Sequence, residues 1–386
     1  MPCARCAASR EGWFHHLGRS PSRPASVQES KTSDEIAKQI SRNPENPARQ
    51  GSESADSAML DHIDVNILHA LQRAPRAAFK SIGEAVGVSE QTAARRFHAL
   101  RRSGAMNVVG LVDPAITGQV QWVARVRCRP DRVLPLAQSL VRQPEVAYAH
   151  LSTGGTEIVC AIRSPLDSGR SPFLLDRMHS STAVLDVQVD MMLHTFGGLG
   201  TNWTGHGGEL GEEQIRGLTA GRRPRAAGAP ALPDEDDAPL LEALAGDGRL
   251  SHTRLAQLTG WSKARVARRL EVLEESGALF YDVELIPERL GFHVTATLWL
   301  SVAPEFLHHA GADIATHPQV AFTGAITGDN NLMAVVICRD TEDLYRYLTH
   351  HLAKIPGISR HSVSLRSRSL KRSASLISHG RFVLAD

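Results

Sequence analysis

A chain of 386 residues has room for two to four ordinary domains, and 42% apolar residues is enough to build their cores. Its 43 basic and 41 acidic residues leave a formal charge of +2, so any nucleic-acid affinity must come from local clustering and not from the total. Five cysteines (Cys3, Cys6, Cys128, Cys160, Cys338) without the dense spacing of a disulfide framework, no run near the roughly 20 apolar residues of a membrane span, and no apolar secretory core at the start together predict a globular protein of the cytoplasm that has no membrane partner.

Residues 1–57 are rich in Ser, Pro, Arg and Ala and carry little apolar periodicity, which reads as a disordered tail or as sequence upstream of a start at Met59. The Cys3-x-x-Cys6 pair has no second Cys/His pair at finger spacing, so no metal site is expected there. Nothing further along calls for a cofactor or forms a catalytic constellation.

Helical periodicity opens the next segment, 59–113. Ile63, Ile67, Leu68 and Leu71 share one face, Ile82, Ala85 and Val86 mark a second short helix, Gly87 makes a turn, and a third helix starts at Ser89. Ser89 is a good N-cap because its hydroxyl accepts from the free N–H groups of the first turn. Ala93, Phe97 and Leu100 then face the core, leaving Gln91, Thr92, Arg95, Arg96, Arg101 and Arg102 on the remaining surface.

From 118 to 196 the pattern changes to strands around helices. "VQWVARVRC" alternates as a strand, an apolar-striped helix follows, Pro144 introduces another strand, "TGGTEIVCAIRS" reads as a turn entering a third, and a second helix leads to a last strand at Leu185–Leu193. Gly and Pro density over 197–233 predicts a linker, with a short helical piece near Glu212–Leu218, long enough for the flanking parts to fold separately. The order of elements then recurs, as a helical triple at 234–287 and a strand-rich part at 291–372 with "HVTATLWLSV", "TGDNNLMAVVICR" and a last strand at Ser359–Leu370.

This is a duplication. An offset of 173 pairs Leu68 with Leu241, Gly87 with Gly260, Leu100 with Leu273 and Gly118 with Gly291, and an offset of 174 then pairs Pro144 with Pro318 and Gly154 with Gly328. The predicted fold class is α+β: a winged-helix-like helix-turn-helix domain followed by a ferredoxin-like β-α-β-β-α-β domain, the pair repeated twice.

Three short helices with a glycine turn before a basic, serine-capped third helix form a helix-turn-helix signature, which places that helix in the major groove of double-stranded DNA. Ser89, Gln91, Thr92, Arg95, Arg96, Arg101 and Arg102 in the first copy, and Ser262, Lys263, Arg265, Arg268 and Arg269 in the second, are the candidate DNA contacts. Guanidinium groups suit phosphates and guanine edges, and Gln and Thr suit other base edges. Arg96 and Arg269, at mid-helix, have the alternative of pairing with a neighbouring carboxylate. Between Leu60 and Asp113 seven Lys/Arg stand against five Asp/Glu, and between Asp234 and Leu290 seven stand against twelve, so the first reader is expected to bind harder.

The helix-turn-helix reading "IDVNILHALQ…SIGEAVGVSEQTAARRFHALRRSGAM", followed by a β-α-β-β-α-β domain with a "TG" turn before its third strand, resembles the Lrp/AsnC family of bacterial and archaeal transcriptional regulators. The likeness runs from Met59 to Leu370, linker excepted, and occurs twice. It implies a DNA-binding regulator whose second domain mediates dimer and higher assembly and binds a small effector, usually an amino acid, near an interface. The family's effector turn resembles T-G-D-Y-D. Its matches are Thr153, Gly154, Gly155, Thr156 and Glu157 in copy one and Thr327, Gly328, Asp329, Asn330 and Asn331 in copy two, without a tyrosine in either. Glu157 keeps a carboxylate to receive an ammonium; Asn331 does not.

Fusion of the two modules predicts a pseudo-dimer within one chain, open to further homo-oligomerisation, whose half-sites need not match because Glu90-Gln91 stands where the second copy has Lys263-Ala264. Two other readings stay open. The architecture also resembles sirohaem decarboxylases, which would need pocket His or Arg groups; His150, His293 and His361 lie on or beside strands at positions that do not correspond between the copies. An architectural DNA-compacting protein would bind most sequences nearly equally.

Overall fold

The computed structural model describes residues 60–166, 182–198, 200, 203–208, 210–220 and 231–384. The N-terminal tail, Met59, the Cys3/Cys6 pair and the second helix expected in the first ferredoxin-like part lie outside the described residues.

The first helical triple is α1 (His62–Arg73), α2 (Phe79–Val86) and α3 (Glu90–Arg102). Asp61 caps α1 by accepting from the Asp64 N–H at 2.9 Å, and Ser89 caps α3 by accepting from the Thr92 N–H at 3.2 Å. Between α2 and α3 Gly87 sits at φ +82°, a left-handed stop that lets the chain turn sharply. Ala93, Phe97 and Leu100 are buried, so the i, i+4, i+7 stripe of α3 does face the core. Strand β1 (Met106–Val112) follows directly.

The first α/β part comprises β2 (Gln119–Cys128), α4 (Val133–Val141), β3 (Val146–Ser152), β4 (Glu157–Pro165) and β5 (Val184–Phe196). Its strand order, β3-β4-β2-β5, is that of a ferredoxin-like sheet. After a short α5 (Glu212–Thr219), the second copy repeats the plan: α6 (Ala238–Gly246), α7 (His252–Thr259), α8 (Lys263–Glu275), β6 (Leu279–Leu285), β7 (Val294–Val302), α9 (Pro304–Ile314), β8 (Val320–Ile326), β9 (Leu332–Cys338), α10 (Thr341–Arg346) and β10 (Ile358–Arg372). Two short strands, β11 (Ser375–Ser378) and β12 (Arg381–Phe382), extend its edge. The second sheet runs β8-β9-β7-β10.

Three antiparallel pairings join the copies. Strand β1 pairs with β6 as a two-stranded ribbon, in which Val109 faces Asp282, its own equivalent one repeat later, so a pseudo-two-fold axis passes through this pair. The late half of β5 pairs with β8, and the late half of β10 pairs with β3, so the eight long strands of the two sheets close into a ring. A ring leaves no unpaired edge between its halves. Its outer faces pack under helices, with Ala124, Val126, Ile158 and Cys160 beneath α4 and Ala296, Leu298, Ala334 and Cys338 beneath α9 and α10. The inner faces meet through Val123, Val159, Trp299, Ile326 and Met333.

The segment expected as a linker carries the short helix expected near Glu212–Leu218, as α5, and is docked on the first helical triple. Trp203 is 0% exposed and joins Leu210 and Leu218 in the core of the first helical triple. The Gln72 side chain donates to the Trp203 carbonyl at 2.9 Å, and Gln214 donates to the Ala85 carbonyl at 2.6 Å. An aromatic of this size outweighs the flexibility that the surrounding glycines suggest.

Candidate nucleic-acid interface and effector turns

Helices α3 and α8 each present one polar face to solvent. On α3 it carries Glu90, Gln91, Arg95, His98 and Arg102, and on α8 it carries Lys263, Ala264, Arg265 and Arg268, all exposed. Ser89 and Ser262 are exposed at the helix starts, where each hydroxyl accepts a backbone N–H of the first turn at 3.2 Å. Thr92 is half-buried, with its hydroxyl 3.0 Å from that of Ser89.

Three of the expected DNA contacts are instead committed to the protein. Arg96 reaches Asp61 at 2.8 Å and Asp64 at 3.1 Å across the start of α1. One repeat later Arg269 makes the same bonds, donating from Nε to Asp237 at 2.7 Å, from a second nitrogen to the same carboxylate, and to Asp234 at 3.4 Å. The physical reason is the helix cap itself: acids that satisfy the first turn of α1 leave negative charge facing mid-α3, and an arginine there neutralises it. The hydrogen bond from the Asp64 backbone N–H holds Asp61 below the usual carboxylate range; burial opposes it, and the charge and hydrogen bond of Arg96 add to the lowering. At Asp237 burial works upward, but the hydrogen bonds from Arg269 and from the Asp234 N–H bring its pKa below the ordinary value. The third is Arg101, which bonds Asp247 of the second copy at 2.7 Å and so ties a reading helix to the other module.

Arg265 stacks 3.9 Å from the centre of the Trp261 ring and pairs with Asp236 at 3.0 Å. Both partners of that ion pair are exposed, where such contacts are weak and yield to a competing phosphate. Gln91, Arg95 and Arg102 on one helix, and Lys263, Arg265 and Arg268 on the other, remain as the outward groups.

The two reading units are held in fixed relation. Arg76 donates to the carbonyls of Gly248 and Leu250 in the second copy, at 2.5 and 3.2 Å. Its equivalent Arg249 donates to the carbonyls of Pro75 and Ala77 in the first, while lying 4.7 Å from the Phe79 ring and 5.1 Å from the Phe97 ring. Burial, and next the charge of Arg76, push Arg249 down to about 10. Sequence reasoning passed over both arginines, since only the equality of their offset from one another marks them.

The effector turns are closed on themselves. Glu157 is 3% exposed; Arg125 approaches it at 3.0 Å, and the hydroxyls of Ser152 and Thr153 donate to it at 2.8 and 3.2 Å. The carboxylate expected to receive an ammonium thus already has its counter-charge, and Arg125 in turn lies 4.5 Å from the centre of the Trp299 ring. Thr153, Gly154 and Gly155 form a 3-10 turn, and the Thr156 hydroxyl donates to the Thr153 carbonyl at 3.0 Å. In copy two Asn331 accepts from the Val302 N–H at 2.9 Å and donates to its carbonyl at 2.7 Å. The Thr327 hydroxyl accepts from the Met191 N–H at 2.8 Å, and the Asp329 carbonyl accepts from Ser301 at 3.0 Å. Gly328, at φ +92°, lies so close to Asp190 that a side chain there would collide with it, and Asn330 is half-buried in the turn beside the exposed Asp329. Of the three histidines, His150 is buried on β3, whereas His293 and His361 are exposed on the other copy.

Comparison with known proteins agrees with this architecture. The family model for the AsnC-type helix-turn-helix domain matches residues 60–101 and again 234–274, and that for the Lrp/AsnC ligand binding domain matches residues 295–376. The HTH-type transcriptional regulator LrpA of Pyrococcus horikoshii is 30% identical over 128 residues, which span 33% of this chain and 91% of that protein. The Bkd operon transcriptional regulator of Pseudomonas aeruginosa is 34% identical over 130 residues, spanning 33% of this chain and 85% of that protein. Among solved structures, the siroheme decarboxylase NirDL superposes with a TM-score of 0.54 over 83% of this chain and 96% of that one, at 14% identity, a likeness of fold. With two helix-turn-helix matches 174 residues apart at their starts, and relatives covered nearly end to end by a third of its length, the chain belongs to the Lrp/AsnC family and carries that family's two-domain unit in tandem.

Proposed function

We propose that the chain is a sequence-specific transcriptional regulator of the cytoplasm that grips double-stranded DNA with two unlike reading helices set on one rigid pseudo-dimer. One observation carries this reading: α3 and α8 are both serine-capped and both exposed, and both keep outward cations after their mid-helix arginines are spent on the protein. Gln91, Arg95 and Arg102 would address one half-site and Lys263, Arg265 and Arg268 the other, with the serine-capped helix starts near phosphate. The names of the related proteins support the same assignment. The effector turns are read as structural corners of the strand ring.

The test is footprinting on selected DNA with the intact chain. Protection of an imperfect inverted repeat is expected, with half-sites about one helical turn or a multiple apart. Arg95→Ala should weaken binding more than Arg268→Ala because the first reader carries the more basic surroundings, and each should lower the salt slope by roughly one. Equal affinity for unrelated sequences at fixed salt would instead mark an architectural protein, and a strictly symmetric footprint would overturn the unlike half-sites.

A further inference from the structure

The inner faces of the strand ring do not fill the space between them. A cavity of about 450 Å³ remains, with apolar walls that include Val123, Val159, Phe322 and Met333, and with Leu111 and Phe280 of the β1–β6 ribbon along one side. Polar groups without partners line it. His150 is 8% exposed and its Nε2 has nothing to bond, and the Nε atoms of Arg163 and Arg366 are buried and equally unmatched. Neither of these guanidinium groups makes an ion pair among the described residues. Two more cations and two acids also reach the cavity, but Lys371 donates to the carbonyls of Val141 and Gln143, Arg372 to that of Leu285, Asp113 accepts from the Ala115 N–H at 2.9 Å, and Asp282 has interactions of its own.

Arg163 and Arg366 are half-buried, and a charged group whose buried N–H finds no partner is costly and is normally removed or paired. The strain is visible in the groups themselves. Burial, and then the charge of Arg372, push Arg366 down to about 10, while burial and the nearby Arg366 keep His150 neutral, far below its ordinary value.

The duplication provides an internal control. One repeat later the places of Tyr148, His150 and Arg163 are taken by Phe322, Gly324 and Ile337, and Arg366 corresponds to Met192 of the first copy. On that side the linker's Trp203 packs against Phe292 in a core that also holds Ile337. The fold is therefore content with apolar groups at these positions, and the basic set on the other side answers to something other than folding. It also makes the cavity's lining differ between the two copies.

We propose that this cavity between the two strand sheets seats a small organic dianion with an apolar middle, one acidic group going to Arg366 beside His150 and the other to Arg163. Two unpaired guanidinium groups call for two negative charges, and the apolar walls between the sheets call for a hydrocarbon body. The site is separate from the effector turns, and its occupancy can be measured without DNA, so its failure would leave the DNA-binding reading untouched.

The experiment is calorimetric titration of the intact chain with suberate, octanoate and 1-octanol, which share a body length and differ in charge. One suberate per chain is expected, bound at least roughly tenfold more tightly than octanoate, with octanol weakest. Arg366→Met and Arg163→Met should each remove roughly tenfold or more of the suberate affinity, while Ala161→Phe, which keeps both charges and takes up volume, should block all three probes. Circular dichroism of each variant separates lost binding from lost folding. Octanol binding as well as suberate, arginine variants that bind like the parent, or no heat from any probe would each overturn the proposal. So would stoichiometric binding of uroporphyrin, a tetrapyrrole polycarboxylate, by a chain that ignores suberate.

Discussion

Arg268 and Arg269 are neighbours on α8 with opposite duties. Arg268 points to solvent, while Arg269 clasps Asp237, which is 1% exposed, at the start of the second helical triple. Arg269→Ala leaves that carboxylate buried without its cation, so we expect a loss of about 3 kcal/mol in urea unfolding, whereas Arg268→Ala stays within about 0.5 kcal/mol of the parent. If the two variants unfold alike, the clasp has no structural weight. The sequence offers a neighbouring carboxylate as the alternative partner of Arg269, but not which one, for a definite reason. Helical periodicity sorts residues onto faces, but it does not say which face meets the caps of a helix 32 residues upstream. Arg96 follows Arg269 in this, and Arg101 and Glu157, for which the sequence offers no such alternative, meet the same limit: each has the right residue type for a ligand contact, and each has a counter-charge inside the chain.

At the level of elements, the β1–β6 ribbon is where the two copies meet, and it hides a titrating group. Glu284 on β6 is 0% exposed opposite Asn107 of β1, and burial pushes its pKa up to about 8, with the negative charge of Asp282 adding to the effect and Arg372 opposing it. A carboxyl whose folded pKa lies above its unfolded value holds more protons when folded, so the stability it lends is full in acid and drains away as pH rises from about 4.5 towards 8. Glu284→Gln removes that drain. Its melting temperature should match the parent near pH 5 and exceed it near pH 8; a gap independent of pH would mean that Glu284 does not titrate in this window. The ribbon itself was not legible. "MNVVGLV" is buried at six of seven positions and has no alternation, and its partner strand is more than a hundred residues away. By contrast the helical triples, the strand order of both ferredoxin-like parts and the duplication were readable, because their signals are local periodicity, caps and a constant offset. Trp203 lies in a glycine-rich segment that reads as a linker, and nothing local says that this one large side chain docks in the core of the first helical triple.

For the molecule as a whole, closure of the strand ring and the reciprocal reach of Arg76 and Arg249 leave the two reading helices little freedom to change their separation. A homodimer joined by one flexible contact can adjust to its operator; a chain locked at the ribbon, at both ends of the ring and by crossed arginines has several constraints on the same distance. DNA must therefore supply the spacing. Moving the half-sites apart by about five base pairs puts them on opposite faces of the duplex, and moving them by about ten restores the face but adds roughly 34 Å of separation. A rigid reader should lose affinity in both cases, by roughly a hundredfold, as measured by anisotropy at one salt concentration. Arg249→Ala, which frees one of the crossed contacts and the stack on Phe79 and Phe97, should narrow that penalty for the longer spacer while lowering the melting temperature. Full affinity of the parent chain for the ten-base-pair insertion would show that the modules separate on DNA, and the locked pseudo-dimer would then describe only the free protein.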